Sequence, residues 1–261
     1  MAWSPAEIAA WDAHRLARVL SEVGGDSAPV GGGWMSCDVP GSWADCAAGL
    51  GVDRAVPEAV LDELVDFYAK RRRRASVVLT PYQHPELLPS LAARGFTLQS
   101  LETVLARPLT PLPPDPEPEG LQIVQVDGGD PDSVSAFVEA HLRGFFPAGD
   151  APDGMRPIAA RVAQSPRVRL WLLVEAGEVV GSGGLELLGE GAVLIAGSIM
   201  EGARRRGLHR AFIRHRLVFA AGEGCSFAVV GSIPNGPTER NALREGFSVA
   251  YTQITVAGPE P

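Results

Sequence analysis

The spacing of apolar residues in the first hundred positions predicts helices that alternate with short strands. Apolar side chains recur three or four residues apart over residues 5–23, which predicts a helix that ends at Gly24. The same spacing from Pro57 predicts a second helix, closed by Arg71–Arg74, whose charges complement the helix dipole. Three further elements are predicted here: a strand over 76–79, a helix over 85–94 and a β-rich segment over 96–105.

After residue 120 the pattern changes to longer strands between helices. The sequence also predicts two strands, 169–175 and 179–187, joined in a hairpin around Ala176-Gly177. An apolar strand over 192–200 runs into a short basic turn, and helical spacing resumes at Leu208. The other predicted elements are a strand over 121–126, helices over 133–145 and 157–164, a strand over 227–230, a helix over 237–244 and a last strand over 247–256.

A proline-rich, acidic segment separates these two patterns. Residues 109–119 read LTPLPPDPEPE, and such a composition favours an extended linker over a packed element. We therefore predict a first domain over 1–108, a linker over 109–119 and a second domain over 120–261.

The two halves of the chain repeat one local pattern. Each contains a strand, a short helix, a Gly-Phe pair and a further strand. Gly95 and Gly246 are 151 positions apart, and so are Val78 and Val229. In both copies the glycine can adopt a positive φ at the end of the helix while the phenylalanine enters the core. The repeat predicts two related domains in tandem.

Composition is that of a globular protein and disfavours several partners. The 261 residues are 46% hydrophobic and carry a net charge of −8, so nucleic acid is not expected as a main partner. The three cysteines lack metal-ligand spacing, and we expect neither a disulfide framework nor a bound metal. No apolar run approaches the roughly 20 residues that span a bilayer, and the first residues lack a signal-peptide pattern. A cytoplasmic protein without a membrane partner is therefore expected.

The basic turn before Leu208 has the chemistry of an anion site. Three arginines, Arg204 to Arg206, precede Gly207, and a helix is predicted directly after it. The first backbone N–H groups of a helix have no partner inside it, and the helix dipole is positive at that end. Gly207 allows a bulky anion to approach closely, and the arginines add charge-assisted donors. The P-loop and dinucleotide-binding patterns are absent from the sequence.

Arg204, Gly207 and His209 form Arg-x-x-Gly-x-His, which resembles the Gln/Arg-x-x-Gly-x-Gly/Ala pyrophosphate loop of the GNAT superfamily of acyl-CoA-dependent N-acyltransferases. The chain departs from that loop at His209, where Gly or Ala is usual, and at Glu201, where proline often precedes the loop. The order of elements predicted after the linker is also similar to the GNAT topology. The resemblance implies an α+β fold with α/β/α layers, made of two tandem GNAT-like domains. Each would be a mixed, mostly antiparallel sheet flanked by helices.

The resemblance also implies a function and a set of cofactor contacts. It implies transfer of an acyl group from acetyl-CoA, or another acyl-CoA, to an amine of a small molecule or peptide. Pantetheine would contact the backbone of the strand before the loop, and the pyrophosphate would bind the loop itself. The implied cofactor-binding residues are Ser198, Ile199, Arg204, Arg205, Arg206, Gly207, Leu208, His209, Asn235 and Asn241. The two asparagines are equally explained as capping and turn residues.

Candidate catalytic residues follow from the same resemblance. Many GNAT enzymes place a tyrosine four residues before the glycine of Gly-Phe, but this chain has Ala242 there. Tyr251 is either a substitute acid for the leaving thiolate or a packed strand residue. Glu186, between two leucines on a predicted strand, is the candidate base and would point either to solvent or to the cleft. His141 and Glu139 are further candidates.

The first copy lacks the residues of the anion site. The positions 151 residues before the arginine, glycine and histidine of the loop are Asp53, Val56 and Glu58. Carboxylates there would repel a pyrophosphate, and valine cannot approach it as glycine can. We therefore expect the first domain to be a degenerate copy that serves as scaffold or lid.

Two other functions stay open: a non-catalytic acyl-CoA-binding module and an interaction scaffold without a ligand. Binding of acetyl-CoA separates the scaffold from the other two, and turnover with an amine separates the enzyme from the binding module. A homodimer is compatible with all three.

Overall fold

The chain divides into two compact units. The computed structural model describes residues 3–109 and 118–260, so residues 110–117 of the predicted linker lie outside the described residues. Unit 1 comprises Met1–Val104 together with Ala250–Pro261, and unit 2 comprises Leu105–Val249. This division differs from the predicted domains at the C-terminal end, because residues 250–260 belong to the first unit and not to the second.

The elements follow one another in an α+β order. The first part of the chain forms α1 (Pro5–Val23), β1 (Asp26–Val30), β2 (Gly33–Cys37), β3 (Ala47–Ala48), α2 (Glu58–Ala69), β4 (Ser76–Leu79), α3 (Leu87–Ala93) and β5 (Thr97–Pro108). The second part forms β6 (Leu121–Gln125), α4 (Pro131–Phe145), α5 (Met155–Ala163), β7 (Val168–Glu175), β8 (Glu178–Leu188), β9 (Gly191–Ile199), a 3₁₀ turn (Glu201–Ala203), α6 (Leu208–Gly222), β10 (Phe227–Ser232), α7 (Pro237–Arg244) and β11 (Ser248–Ala257). Both β5 and β11 contribute residues to each unit.

In unit 1 the strand order is β1-β2-β3-β4-β11-β5. β3 runs parallel to β4, with Ala47 opposite Val77, whereas β11 runs antiparallel to β4, with Ile254 opposite Leu79. The core under this sheet includes Tyr68 of α2, whose side chain is fully buried. Residues 250–257 therefore supply a strand that unit 1 needs to connect β4 with β5.

In unit 2 the strand order is β5-β10-β9-β8-β7-β6. β6 to β9 pair antiparallel in sequence, and β9 pairs parallel with β10. The hairpin of β7 and β8 turns at Ala176-Gly177, as the sequence predicted. The sheet is thus mixed and mostly antiparallel, which confirms the fold class that the resemblance implied.

Helices cover both faces of the unit 2 sheet. Trp171 and Leu173 of β7 pack in a core with α6, whereas Leu170 packs in a separate core with α4 and α5. Because successive side chains of a strand point to opposite faces, this alternation places α6 on one face and α4 with α5 on the other. The unit has three layers in the order α/β/α.

The internal repeat is visible in the backbone of both units. Gly95 follows α3 and Gly246 follows α7, and both have a φ of +81°. The next N–H donates back into the helix in each case, from Phe96 to Leu91 and from Phe247 to the carbonyl of Ala242, both at 3.1 Å. Both phenylalanine side chains are buried. The two glycines therefore have the predicted role of helix C-caps.

Within the described part of the chain, no helix has the length and apolar character needed to cross a membrane.

Candidate functional site

The basic turn of unit 2 presents an open helix N-terminus. β9 ends at Ile199, and α6 begins at Leu208 after Gly207, which has φ 82° and ψ −8° and makes no side-chain cap. Arg205 also has a positive φ, of 64°. A Cβ added to Gly207 would meet no atom within 4 Å, so the approach to the first turn of α6 is free. This geometry suits a bulky anion held by backbone N–H groups.

The three arginine side chains of the turn have different surroundings. Arg204 folds back, and its Nε donates to the carbonyl of Ile199 at 3.0 Å. Arg206 forms two hydrogen bonds of 2.8 and 2.5 Å to Glu175, and these bonds lower the pKa of that carboxyl. Arg205 is exposed. The turn therefore offers backbone N–H donors and the exposed side chain of Arg205. Arg204 and Arg206 already donate hydrogen bonds to other groups of the protein.

His209 and Asn241 form one contact between α6 and α7. The Asn241 amide nitrogen lies 2.9 Å from Nδ1 of His209. Burial lowers the pKa of His209 to about 4, with a further contribution from the charge of Arg216, so the ring is neutral near pH 7. A neutral Nδ1 accepts the amide hydrogen bond. Both side chains thus connect the helices, while the backbone N–H of His209 remains part of the first turn.

Asn235 lies in the turn before α7. It has a φ of 57°, and its N–H donates to the Glu239 carboxylate at 2.8 Å. This is the local turn geometry that asparagine tolerates. Asn235 follows the end of β10 at Ser232 by three residues.

Two further arginines of α6 form ion pairs with a glutamate at the end of α7. Arg210 and Arg214 both pair with the buried Glu245, the second at 3.5 Å. The Glu245 carbonyl also accepts from Arg107. These cations fix α6 against the end of α7.

The strands β9 and β10 diverge beside the basic turn. Their parallel ladder joins Gly191–Val193 with Phe227–Val229, and β9 then continues to Ile199 while β10 continues to Ser232. Ser198 and Ile199 pair with β8 across the other edge of β9. The edge of β9 that faces β10 is therefore available for an extended ligand along residues 194–199.

A bulge interrupts β9 at this point. On β8, Gly184 and Ser182 are two residues apart, but their partners Ile195 and Ser198 are three apart. Ala196 and Gly197 therefore fall outside the ladder, and Ala196 has a φ of 54°. A non-glycine residue in this region is strained by about 1 kcal/mol or more. The sequence does not reveal the bulge, because register depends on the partner strand.

Glu186 faces the layer of α4 and α5. Its neighbour Leu185 packs in the α6 core, so alternation directs Glu186 to the opposite face. The side chain is 4% exposed, and Oε1 lies 3.7 Å from Nη2 of Arg167. The Glu186 side chain therefore does not point to solvent. It is buried and forms an ion pair with Arg167.

Tyr251 belongs to unit 1, not to the unit that contains the turn. Its hydroxyl donates to Oδ2 of Asp12 at 2.8 Å, and Arg15 donates to the other oxygen of that carboxylate at 2.7 Å. Burial and the Asp12 charge raise the pKa of Tyr251 far above its usual range. Of the two predicted roles of Tyr251, a substitute acid or a packed strand residue, these contacts favour the packed strand residue.

Two other candidates lie on α4. His141 stacks on Phe137 with ring centroids 5.8 Å apart, and burial lowers its pKa to about 4. Glu139 is exposed and bonded to Arg156. His141 is therefore a neutral ring in the packed face of α4, whereas Glu139 lies on the surface.

The segment of unit 1 that corresponds to the basic turn carries acidic side chains that are bonded to other protein groups. Asp53 lies 3.1 Å from His14, and Glu58 accepts from Ser90 at 2.6 Å and pairs with Arg94. Val56 packs against Gly31, where an added Cβ would come within 3.1 Å of it. Unit 1 has no equivalent of the open glycine at this place.

Among the described residues, no group of three or more His, Cys, Asp or Glu side chains could hold a metal ion.

Comparisons with known proteins point to one fold. No family model and no curated protein sequence matches the chain. Among solved structures, a GCN5-related N-acetyltransferase from Kribbella flavida is 16% identical with a TM-score of 0.71, covering 95% of this chain and 96% of that one. A tandem GNAT protein from the clavulanic acid biosynthesis pathway is 14% identical with a TM-score of 0.62, covering 99% and 98%. A GNAT-family protein from Novosphingobium aromaticivorans is 13% identical with a TM-score of 0.60, covering 97% of both chains.

Likeness at these identities concerns the fold, and it extends over both halves of the chain. The protein has the fold of a tandem GNAT protein.

Proposed function

We propose that this protein is an acyl-CoA-dependent N-acyltransferase whose active half is unit 2. The observation that supports the proposal most directly is the open N-terminus of α6 at Gly207, beside the point where β9 and β10 diverge. Backbone N–H groups and Arg205 would hold the pyrophosphate of acetyl-CoA. The edge of β9 beyond its ladder with β10 would pair with the pantetheine arm near Ser198 and Ile199, where the Ile199 carbonyl itself accepts from Arg204.

The residues of unit 2 then supply the elements of acyl transfer. The acceptor is an amine of a small molecule or peptide, and it must lose a proton before its lone pair can attack the thioester carbonyl. Glu186 is our candidate base, acting through water because it is buried. The amine nitrogen bonds to the carbonyl carbon, the C–S bond breaks, and the CoA thiolate takes up a proton. Full turnover by a Glu186→Gln variant would exclude Glu186 from this role.

The cofactor site is tested by blocking the first turn of α6. We expect Gly207→Trp to abolish the thermal stabilisation that acetyl-CoA gives the wild type, because an indole would occupy the anion position. Gly224→Trp is the matched control: Gly224 has a φ of 84°, and an added Cβ there also meets no atom within 4 Å. It lies just beyond the opposite end of α6. Equal stabilisation of both variants would contradict the proposed site.

A non-catalytic acyl-CoA-binding module is the second candidate function. The observation that favours it is the absence of a tyrosine at Ala242, together with the bond of Tyr251 to Asp12. Thiol release from acetyl-CoA with a panel of primary amines, polyamines, aminoglycosides and peptides separates the two. Release with any of them supports the enzyme, and binding without release throughout supports the module.

A further inference from the structure

Arg216 is a buried cation beneath the bulge of β9. It lies on the third turn of α6 and is 2% exposed. Its Nε donates to the carbonyl of Phe212 at 3.2 Å, and its Nη1 donates to the carbonyls of Gly184 and Ile195 at 3.2 and 3.4 Å. Burial lowers its pKa to about 9, so the guanidinium is still charged near pH 7. Removing a full charge from water is costly, and hydrogen bonds to carbonyl oxygens offset only part of this cost.

Glycines on the sheet make room for this side chain. A Cβ on Gly197 would lie 3.2 Å from Nη2 of Arg216, and a Cβ on Gly183 would lie 2.6 Å from the ring of Phe212. Gly197 is the second residue of the bulge, and a Cβ on Gly183 of β8 would lie 3.0 Å from its Cα. The bulge and the arginine therefore fit each other closely.

The contact of Arg216 with the Ile195 carbonyl, at 3.4 Å, indicates the direction of one backbone N–H. The peptide between Ile195 and Ala196 is planar and trans, so its C=O and N–H point in opposite directions. Since the carbonyl points to the guanidinium on the α6 face, the Ala196 N–H points away from it. Ala196 lies outside the β8–β9 ladder and carries the strained φ. Its N–H is a donor of fixed direction in the strand that would border the thioester.

The charge also strengthens that donor. A hydrogen bond to a peptide carbonyl polarises the group, and the N–H at its other end becomes a better donor. A buried guanidinium in a low-dielectric region has a large effect of this kind. A backbone donor aimed at the position where negative charge develops is the arrangement that stabilises a tetrahedral oxyanion.

We infer that Arg216 is a positioning residue for acyl transfer: through the Ile195 carbonyl it fixes and polarises the Ala196 N–H, which donates to the thioester oxygen. The inference rests on the proposed function. Arg216 itself does not touch the acyl group. Its loss therefore impairs the reaction and not the binding of acetyl-CoA.

The test combines binding, kinetics and a spectroscopic signal that needs no acceptor. Wild type, Arg216→Met, Arg216→Lys and Gly197→Ala are compared, with Arg214→Met as a control that removes a different cation of α6. Gly197→Ala keeps the charge but crowds the guanidinium. For each variant, the dissociation constant of acetyl-CoA, kcat with an accepted amine, and the carbonyl ¹³C resonance of bound [1-¹³C]acetyl-CoA are measured.

We expect a downfield carbonyl resonance in the wild type and in Arg214→Met, because a hydrogen-bonded carbonyl is polarised. Arg216→Met should lose this shift and lower kcat about 100-fold while its dissociation constant stays within about twofold. Arg216→Lys and Gly197→Ala should be intermediate. An unchanged resonance and kcat in Arg216→Met overturns the inference alone, as does an equal loss in Arg214→Met. A wild type that binds no acetyl-CoA overturns the proposed function.

Discussion

At the scale of single residues, His209 shows how the turn accommodates an unusual side chain. Glycine or alanine is usual at this position of the GNAT pyrophosphate loop, and an imidazole ring there could block the approach of the anion. Instead the ring turns to Asn241 and becomes neutral by burial. The sequence could identify the departure but not its solution, because Asn241 is 32 positions away and no local pattern connects the two residues.

The neutrality of His209 predicts a pH dependence of stability. Its pKa is about 4 in the folded protein and near 6.5 when unfolded, so the unfolded state binds more protons between these values. The contribution to stability is complete above pH 6.5 and is lost as the pH falls toward 4. A His209→Gln variant, which keeps an acceptor for Asn241, should lose less free energy of unfolding than wild type between pH 7 and 4.5.

Urea unfolding at a series of pH values measures this difference, and the ring proton resonances of His209 report the titration directly. A midpoint near 6.5 in the folded protein would contradict the buried, neutral ring.

At the scale of elements, packing between α4 and β9 depends on a residue without a side chain. A Cβ on Gly144 of α4 would lie 2.2 Å from Oγ and 2.7 Å from Cβ of Ser198 on β9. We expect Gly144→Ala to lower the free energy of unfolding by about 1–3 kcal/mol, since α4 must move away from the strand.

Gly222, the last residue of α6, is the matched control. An added Cβ there meets no atom within 4 Å, so Gly222→Ala should raise stability by about 0.5–1 kcal/mol through helix propensity. Chemical denaturation of both variants gives the two values. A gain of stability in Gly144→Ala, of the kind expected for Gly222→Ala, would show that the contact with Ser198 does not limit the approach of α4.

Elements were predictable to the extent that their signal is local. The hairpin of β7 and β8 and the helix after Gly207 follow directly from apolar periodicity and turn residues. β1 to β3 were not predicted, because they are short and glycine-rich around residues 24–51 and gain their pairing from distant strands. The bulge at Ala196 and the burial of Arg216 were also missed, since both depend on register and on packing that no single segment encodes.

At the scale of the whole molecule, the two repeated units predict one cofactor site per chain, because only unit 2 has the basic turn. Unit 1 repeats the helix, glycine and phenylalanine of unit 2, but Asp53 and Glu58 replace the basic turn and are bonded to His14 and Arg94. We propose that unit 1 binds no acyl-CoA. Titration calorimetry with acetyl-CoA should therefore give one site per chain, and Gly207→Trp should give none. A stoichiometry of two would assign a second site to unit 1, and a site that survives in Gly207→Trp would place binding away from the first turn of α6.

The tandem organisation was predictable from the 151-residue offset. The placement of the last strand, β11, in unit 1 was not predictable. Sequence repeats show which segments are related, but they do not show which copy a terminal strand joins. Residues 250–257 follow the second Gly-Phe pair, yet they pair with β4 of unit 1.

The pairing of residues 254–257 with β4 has a consequence for biosynthesis. When a ribosome has made the first hundred residues, β4 still lacks this neighbour, and it receives it only after the strands and helices of unit 2 have been made. Unit 1 is therefore begun before unit 2 but completed after it, and its nascent form presents an unpaired strand edge of the kind that chaperones shield during translation.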